Sequence, residues 1–160
     1  MTLYIAGVCK PVSESEGVEE IACREIMSAP PITGPPTMTA LEAARLMVEK
    51  GIGSIIVIDD NGSLLGIVTK TDLIRGVVAE GRSPADVFLS SIMTRDPYYV
   101  TPDTLVSEAA EIMGFYGVGH LPVVDTTTGR VVGVISMRDI VRLAPHYIVK
   151  AILASKRRNE

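Results

Sequence analysis

Leu41, Ala44, Met47 and Val48 recur at the spacing of a helix that buries one face. Ahead of them Thr39-Ala40-Leu41-Glu42 reads as a capping box, in which hydroxyl and carboxylate satisfy each other's orphan backbone donors. The helix is expected to run to about Lys50 and to stop at Gly51, which suits the left-handed turn that ends a helix. From Ser54 to Ile58 the pattern changes to a short β-branched aliphatic run, the mark of a largely buried strand. Asp59 to Gly62 then turns the chain. Asn61-Gly62-Ser63 also matches a glycosylation acceptor, but its place between two aliphatic runs favours a tight hairpin. Leu64 to Thr69 makes the returning strand, and Thr71 to Val78 has the apolar spacing of a second helix.

The same order then returns. Val106, Ala109, Ala110 and Met113 predict a helix, Leu121 to Val124 and Val131 to Ile135 two strands, and Ile140 to Leu143 a closing helix. Glu42/Glu108, Met47/Met113, Gly51/Gly117, Gly53/Gly119, Val57/Val123, Asp59/Asp125, Gly66/Gly133 and Asp72/Asp139 correspond, with only Thr128 inserted, so the chain is a tandem duplication. Ile26-Met27-Ser28 matches Ile92-Met93-Thr94, and each unit thus opens with a short helix. The seam at Gly81, Arg82, Ser83 and Pro84 is too short for the units to wander apart.

The expected fold class is α/β, of the α+β kind. Each unit is a small three-stranded sheet with two packed helices, and pairing through a pseudo-twofold axis covers the apolar face that each would leave bare. Two related clefts follow from that axis. The boundaries read as a 1–17 extension, units at 18–82 and 83–144, and a C-terminal helix with a basic tail at 145–160. Ala29 to Pro36 holds four prolines and is expected to pass a cleft in extended form. Pro145 can start the last helix, in which Ile148, Val149, Ile152 and Leu153 make an apolar stripe.

With 160 residues, 47% of them hydrophobic, the chain can bury about 70% of its unfolded surface as one body. A net charge of -4 opposes the approach of a polyanion, which makes nucleic acid a poor partner. Lys156, Arg157 and Arg158 form the one basic run, read as a solvated end. Cys9 and Cys23 are too few to staple the fold and lack CxxC spacing, so a reducing cytoplasmic setting is expected. Met1 to Val8 lacks the basic lead and the length of a signal peptide or spanning helix, and no membrane role is expected.

Both returning strands end in one device. Thr69 stands three residues before Asp72, and Ser136 three before Asp139, at the start of a helix. That spacing is a capping arrangement. Each copy also carries a cation just inside the helix, Lys70 or Arg138, beside backbone N–H groups at a positive dipole end, which suits an anion.

Taken with the preceding Gly51, Gly53, Val57 and Asp59, and with Gly117, Gly119, Val123 and Asp125, this ending resembles the cystathionine beta-synthase (CBS) domain. Two in tandem look like a Bateman module, the likeness running from about Val18 to Ala144. The resemblance implies a non-catalytic sensor that needs no cofactor and binds AMP, ADP or ATP in its clefts. It places the ribose hydroxyls on Asp72 and Asp139, phosphate or ribose near Thr69 and Ser136, and phosphate charge on Lys70 and Arg138. Backbone at Ser54, Ile55 and Ile56, and at His120, Leu121 and Pro122, would flank the base. Ile32, Thr33, Tyr98 and Tyr99 would complete the pockets. It further implies a homodimer joined through the closing helices and a separate effector protein. The first unit departs from the pattern: Gly34-Pro35 stands where the second keeps Val100-Thr101, and Ile56 stands where the second has Pro122. A single occupied site is therefore expected around Ser136 and Asp139.

Other chemistry lacks its constellation. His120 and His146 have no third ligand at metal spacing, so no metal is expected. Gly51-x-Gly53 follows a helix and lacks the third glycine of a dinucleotide fingerprint, and no GlyLysSer/Thr occurs. Neither cysteine has a suggestive histidine neighbour, and no catalytic triad stands out. Met27, Met47, Met93 and Met113 read as packing. The competing readings are a ligand-free interaction scaffold, in which the two Asp residues only cap helices, and, less favoured, a DNA-associated regulator using the basic tail.

Overall fold

Thr39 closes the capping box ahead of α2 (Ala40–Lys50) as the sequence predicts. Its N–H and Oγ1 donate to Glu42 Oε2 at 2.8 and 2.9 Å, and Glu42 N–H donates back to Thr39 Oγ1 at 3.2 Å. Gly51 ends the helix at φ 64°, a left-handed conformation that costs glycine nothing. In the computed structural model, which describes residues 20–159, β2 (Ser54–Ile58) then pairs antiparallel with β3 (Leu64–Thr69), Ser54 facing Thr69 and Val57 facing Gly66. Asp59 Oδ1 accepts the N–H groups of Asn61 and Ser63 at 2.8 and 2.9 Å, the local bonds that make the turn. The chain enters α3 (Lys70–Leu73), which widens into a π-helical turn over Ile74–Val78.

The second copy repeats this order in α5 (Val106–Tyr116), β5 (His120–Asp125), β6 (Arg130–Ser136) and α6 (Met137–Leu143). Leu105 offers no capping side chain to α5, so only Glu108 serves, accepting the Leu105 N–H at 3.1 Å.

The short opening helices are exchanged between the units. α1 (Cys23–Ile26) opens the first unit, yet Cys23 and Ile26 are buried with Val106, Ala109, Met113 and Leu121 of the second. Cys23 and Arg24 donate their N–H groups to Thr104 and Pro102 at 2.8 and 3.0 Å, and Arg24 forms an ion pair with Asp103. Reciprocally, α4 (Leu89–Ile92) buries Leu89 among Ala43, Met47, Ile55 and Val68 of the first unit. The strands follow the helices across. β4 (Thr94–Arg95) pairs with β3, so the first sheet has four strands, β1 (Thr33–Gly34)-β2-β3-β4, where three were expected. The second sheet is the β5–β6 pair, extended by single bridges from Val100 to Val123 and from Ser28 to Val134. Homologous cores are interchangeable to an amphipathic turn, and periodicity names a buried face without naming the core that receives it. Glycines make room for the exchange: a methyl group on Gly66 would stand 2.6 Å from Met93 Sδ, and one on Gly133 2.6 Å from Met27 Sδ. The four methionines do pack, Met27 and Met93 each in the other unit's core.

The last helix, α7 (Ile148–Arg158), lies across α5 and differs from expectation in the face it buries. Ala151 and Ala154 are buried and Ile148 packs half-buried against the core, while Val149, Ile152 and Leu153 are half-exposed or more. The cause is Gly114 on α5, where a methyl group would collide with the Ala151 carbonyl; so close an approach admits only small residues between the helices. The basic tail is exposed, as a solvated end should be, and forms the last turn of α7. Arg157 and Lys150 reach Glu111 on α5 at 3.6 and 4.0 Å. No described helix is long and apolar enough to cross a membrane. Cys9, the whole 1–17 extension and the first two residues of the first unit lie outside the described residues. Cys23 is structural: burial first, then Glu108, pushes its thiol up to about 12, so it stays protonated.

Candidate functional site

The register of each hairpin sets a hydroxyl at the end of the returning strand opposite the first residue of its partner, Thr69 facing Ser54 and Ser136 facing His120. The helix begins at the next residue in both units. Asp72 Oδ2 accepts the Thr69 N–H at 2.7 Å and its Oγ1–H at 2.9 Å, and the Asp72 N–H donates to Thr69 Oγ1 at 3.4 Å. Asp139 Oδ2 accepts the Ser136 N–H at 2.8 Å and its Oγ–H at 2.7 Å, with the return bond at 3.1 Å. Both aspartates therefore cap helices. Each uses one oxygen only, and Oδ1 takes no hydrogen bond from the described residues, in side chains that remain half-buried.

The expected outward-pointing donors are largely spent. Besides the two capping N–H groups, Lys70 N–H donates to Gly53 O at 3.2 Å and Met137 N–H to Gly119 O at 2.9 Å. The cations are also not equivalent. Lys70 is the first residue of α3, a place taken by Met137 in α6, whereas Arg138 is the second. Both are exposed.

His120 joins the units. A methyl group on Gly53 would stand 3.1 Å from His120 Nε2 and 3.7 Å from Lys70 Cε, so the imidazole and the lysine flank the same glycine. Nothing lies within 4 Å of the matching point on Gly119, because the counterpart of His120 is the small Ser54. The junction is thus filled on one side and open on the other. Burial holds the imidazole below its ordinary range; Asp139 raises it and Lys70 lowers it. The sequence reading assigns His120 through its backbone. The structure adds its side chain and Gly53, which the repeated glycine pair marks only as a turn.

The remaining candidates separate into two groups. Ile56 N–H donates to Ile32 O at 3.2 Å and Thr33 pairs with Ile56, which brings Ile32 and Thr33 beside β2. In the second unit Val100 N–H donates to Pro122 O at 3.0 Å, setting Tyr99 and Tyr98 just before β5's neighbour. Tyr98 is stacked on Tyr116 at 3.8 Å between ring centres, with Phe115 edge-on to Tyr116. Ile55, Ile56, Leu121 and Pro122 are buried, so any surface they lend a cleft is backbone. Among the described residues, no three His, Cys, Asp or Glu side chains gather as a metal would require.

Known proteins share this arrangement. A family model described as the CBS domain matches residues 23–79 and again 89–146. An uncharacterised protein of Methanopyrus kandleri is 37% identical over 134 residues, covering 84% of this chain and 65% of its own length. The L-aspartate semialdehyde sulfurtransferase of Methanocaldococcus jannaschii is 32% identical over 75% of this chain, but that is only 22% of the enzyme. The chain thus spans less than two thirds of these relatives. Among solved structures, a CBS domain pair in complex with 5-methylthioadenosine and S-adenosyl-L-methionine superposes with a TM-score of 0.72 at 31% identity, covering 79% of this chain and 98% of that one. A CBS domain protein of unknown function from Thermoplasma acidophilum gives 0.74 at 25% identity, over 86% and 77% of the two chains. A hexameric cyanobacterial CBS-CP12 protein gives 0.71 at 28% identity, over 78% and 71%. With two matches that together span most of its length, the chain belongs to the CBS domain family and carries two such domains in tandem.

Proposed function

We propose that the chain is a non-catalytic sensor that holds an adenosine ligand, AMP, ADP or ATP, in the clefts between its two CBS domains. It passes the bound state to a partner, either a separate effector protein or a second copy of the chain. The observation that carries this reading is the pair of half-buried carboxylates at Asp72 and Asp139, each with one oxygen in a cap and the other without a donor among the described residues. A cis-diol supplies two donors to such a group, in charge-assisted bonds worth roughly 1.5 to 3 kcal/mol each. Lys70 and His120 at one junction, and Arg138 beside the other helix start, suit a phosphate-bearing ligand in preference to the sulfonium held by the solved relative. The ligand must favour one arrangement of the domains over another, since equal affinity shifts nothing.

The scaffold reading draws on a specific observation too, because both carboxylates already cap helices without help. Asn caps about as well as Asp but carries no charge. Thermal unfolding of the wild type, Asp72→Asn and Asp139→Asn with AMP, ADP, ATP, NADH and S-adenosylmethionine therefore separates the two. At a hundred times Kd a true ligand adds about 2.7 kcal/mol, or about 5 to 10 °C in midpoint for a chain of this length. The sensor predicts that shift in the wild type and its loss in at least one Asn variant of unchanged ligand-free midpoint. No response to any adenosine compound establishes the scaffold instead.

A further inference from the structure

We infer that His120 makes the two clefts unequal in what they select: beside Gly53 a phosphate-bearing ligand binds together with a proton that His120 takes up, and beside Gly119 it binds without one. This rests on the reading of the clefts as adenosine-ligand sites and adds which of them answers to pH. At the junction the duplication breaks its own symmetry. His120 opens β5 and Ser54 opens β2, the same place in the two hairpins. A glycine precedes each, but only Gly53 has a side chain of the other unit laid against it.

Residue 53 has no side chain of its own, and His120 Nε2 and Cε1 stand 3.1 and 3.3 Å from the point its Cβ would occupy, with Lys70 Cε at 3.7 Å. An imidazole from one unit and a lysine from the other thus converge on one spot, next to the Thr69/Asp72 cap. Neither ring nitrogen of His120 is hydrogen-bonded among the described residues, and neither is sealed from solvent, so both can meet an incoming oxygen. The charged groups that face the ring are Lys70 and Asp139, the latter capping Ser136 directly across the hairpin from His120. Burial disfavours the charged ring most, Asp139 favours it and Lys70 opposes it. A phosphate between the two side chains cancels the repulsion from Lys70, and the imidazolium N–H then makes a charge-assisted bond to it. On the Gly119 side Ser54 has nothing to titrate in this range, Met137 takes the place of Lys70, and Arg138 keeps its charge at any working pH. Proton and ligand are therefore coupled in one cleft only, and by reciprocity each tightens the other there. Acidification moves ligand toward the Gly53 side.

The chain has 2 histidines, so His120→Gln assigns the His120 resonance by its disappearance. In NMR titrations the His120 midpoint is expected to rise when ATP is added to the wild type, and to rise in the ligand-free Lys70→Gln variant. Calorimetry of ATP binding at about pH 6 and pH 8, in buffers of different ionisation enthalpy, then compares wild type with His120→Gln, which subtracts titration of the nucleotide's own phosphate. The wild type should take up more protons, by up to about one per chain. Its affinity relative to the variant should grow about three- to tenfold from pH 8 to pH 6, within the roughly tenfold per pH unit that one proton allows. 5-Methylthioadenosine, which carries no phosphate, should show neither effect. Equal proton uptake in wild type and variant, a His120 midpoint unmoved in either titration, or the same linkage with 5-methylthioadenosine overturns the inference and leaves the sensor reading standing. No binding by any adenosine compound overturns both.

Discussion

His120 of the second unit leans on Gly53 of the first, its Nε2 3.1 Å from where a methyl group on residue 53 would stand. The matching point on Gly119 is open to 4 Å. Gly53→Ala should therefore push the imidazole aside, while the Lys70 stem at 3.7 Å stays in ordinary contact, and cost about 1 kcal/mol. Gly119→Ala meets nothing and is expected to be neutral or stabilising by a few tenths. Urea unfolding of the two variants side by side reads the difference, and equal stabilities would show that the junction is as open on one side as on the other.

The same imidazole gives stability a pH dependence of known sign. Its folded pKa lies below the ordinary 6.5, chiefly through burial, so the unfolded chain takes up the proton first as pH falls. Its contribution is complete above about pH 6.5 and is lost as pH drops toward the folded value. Replacing His120 by Gln should flatten that part of the profile. Denaturation midpoints between about pH 5 and 8 test this, and an unchanged slope in the variant would count against a buried neutral imidazole.

Gly114→Ala should unseat α7. A methyl group there meets the Ala151 carbonyl, which is backbone and cannot swing away, so the helices must separate at a cost of about 1 to 3 kcal/mol. Hydrogen exchange is expected to quicken over residues 148–158 while β2 and β3 keep their protection. Uniform loss across the chain, or none, would be inconsistent with α7 resting on that single point.

Neither half should fold alone. Residues 20–86 lack Val87, Leu89 and Met93 for their core, and residues 87–159 lack Cys23, Ile26 and Met27 for theirs. Each large apolar side chain withheld removes about 1.5 to 3 kcal/mol, and a domain has about 5 to 15 kcal/mol in all. Circular dichroism should show each half without cooperative unfolding, and mixing should restore one transition. A half that melts cooperatively by itself would contradict the exchange.

Much of the local structure was legible. The box at Thr39 and Glu42, the stop at Gly51, the strands Ser54–Ile58 and Leu64–Thr69 and the turn at Asp59 are all short-range arrangements that neighbouring residues decide among themselves. What the sequence hid is long-range. The apolar positions of α1 and α4 mark faces to bury, but the two homologous cores accept either helix, so nothing in their pattern discloses the exchange. Of the stripe Ile148, Val149, Ile152 and Leu153 only Ile148 meets the core, because Gly114 beneath α7 admits only a small residue there and the helix turns Ala151 and Ala154 inward. At the site the Thr69/Asp72 and Ser136/Asp139 pairs follow from spacing alone. The reach of His120 to Gly53 depends on the docking of two units, which no window of neighbouring residues encodes.

The traded opening segments also constrain how this duplication can change over time. Each copy carries the piece its sibling lacks, so neither can be deleted, or drift far in its first twenty residues, without ruining the other's interior. What began as two copies of one gene segment has become mutual dependence. A mutation in one half is read out in both.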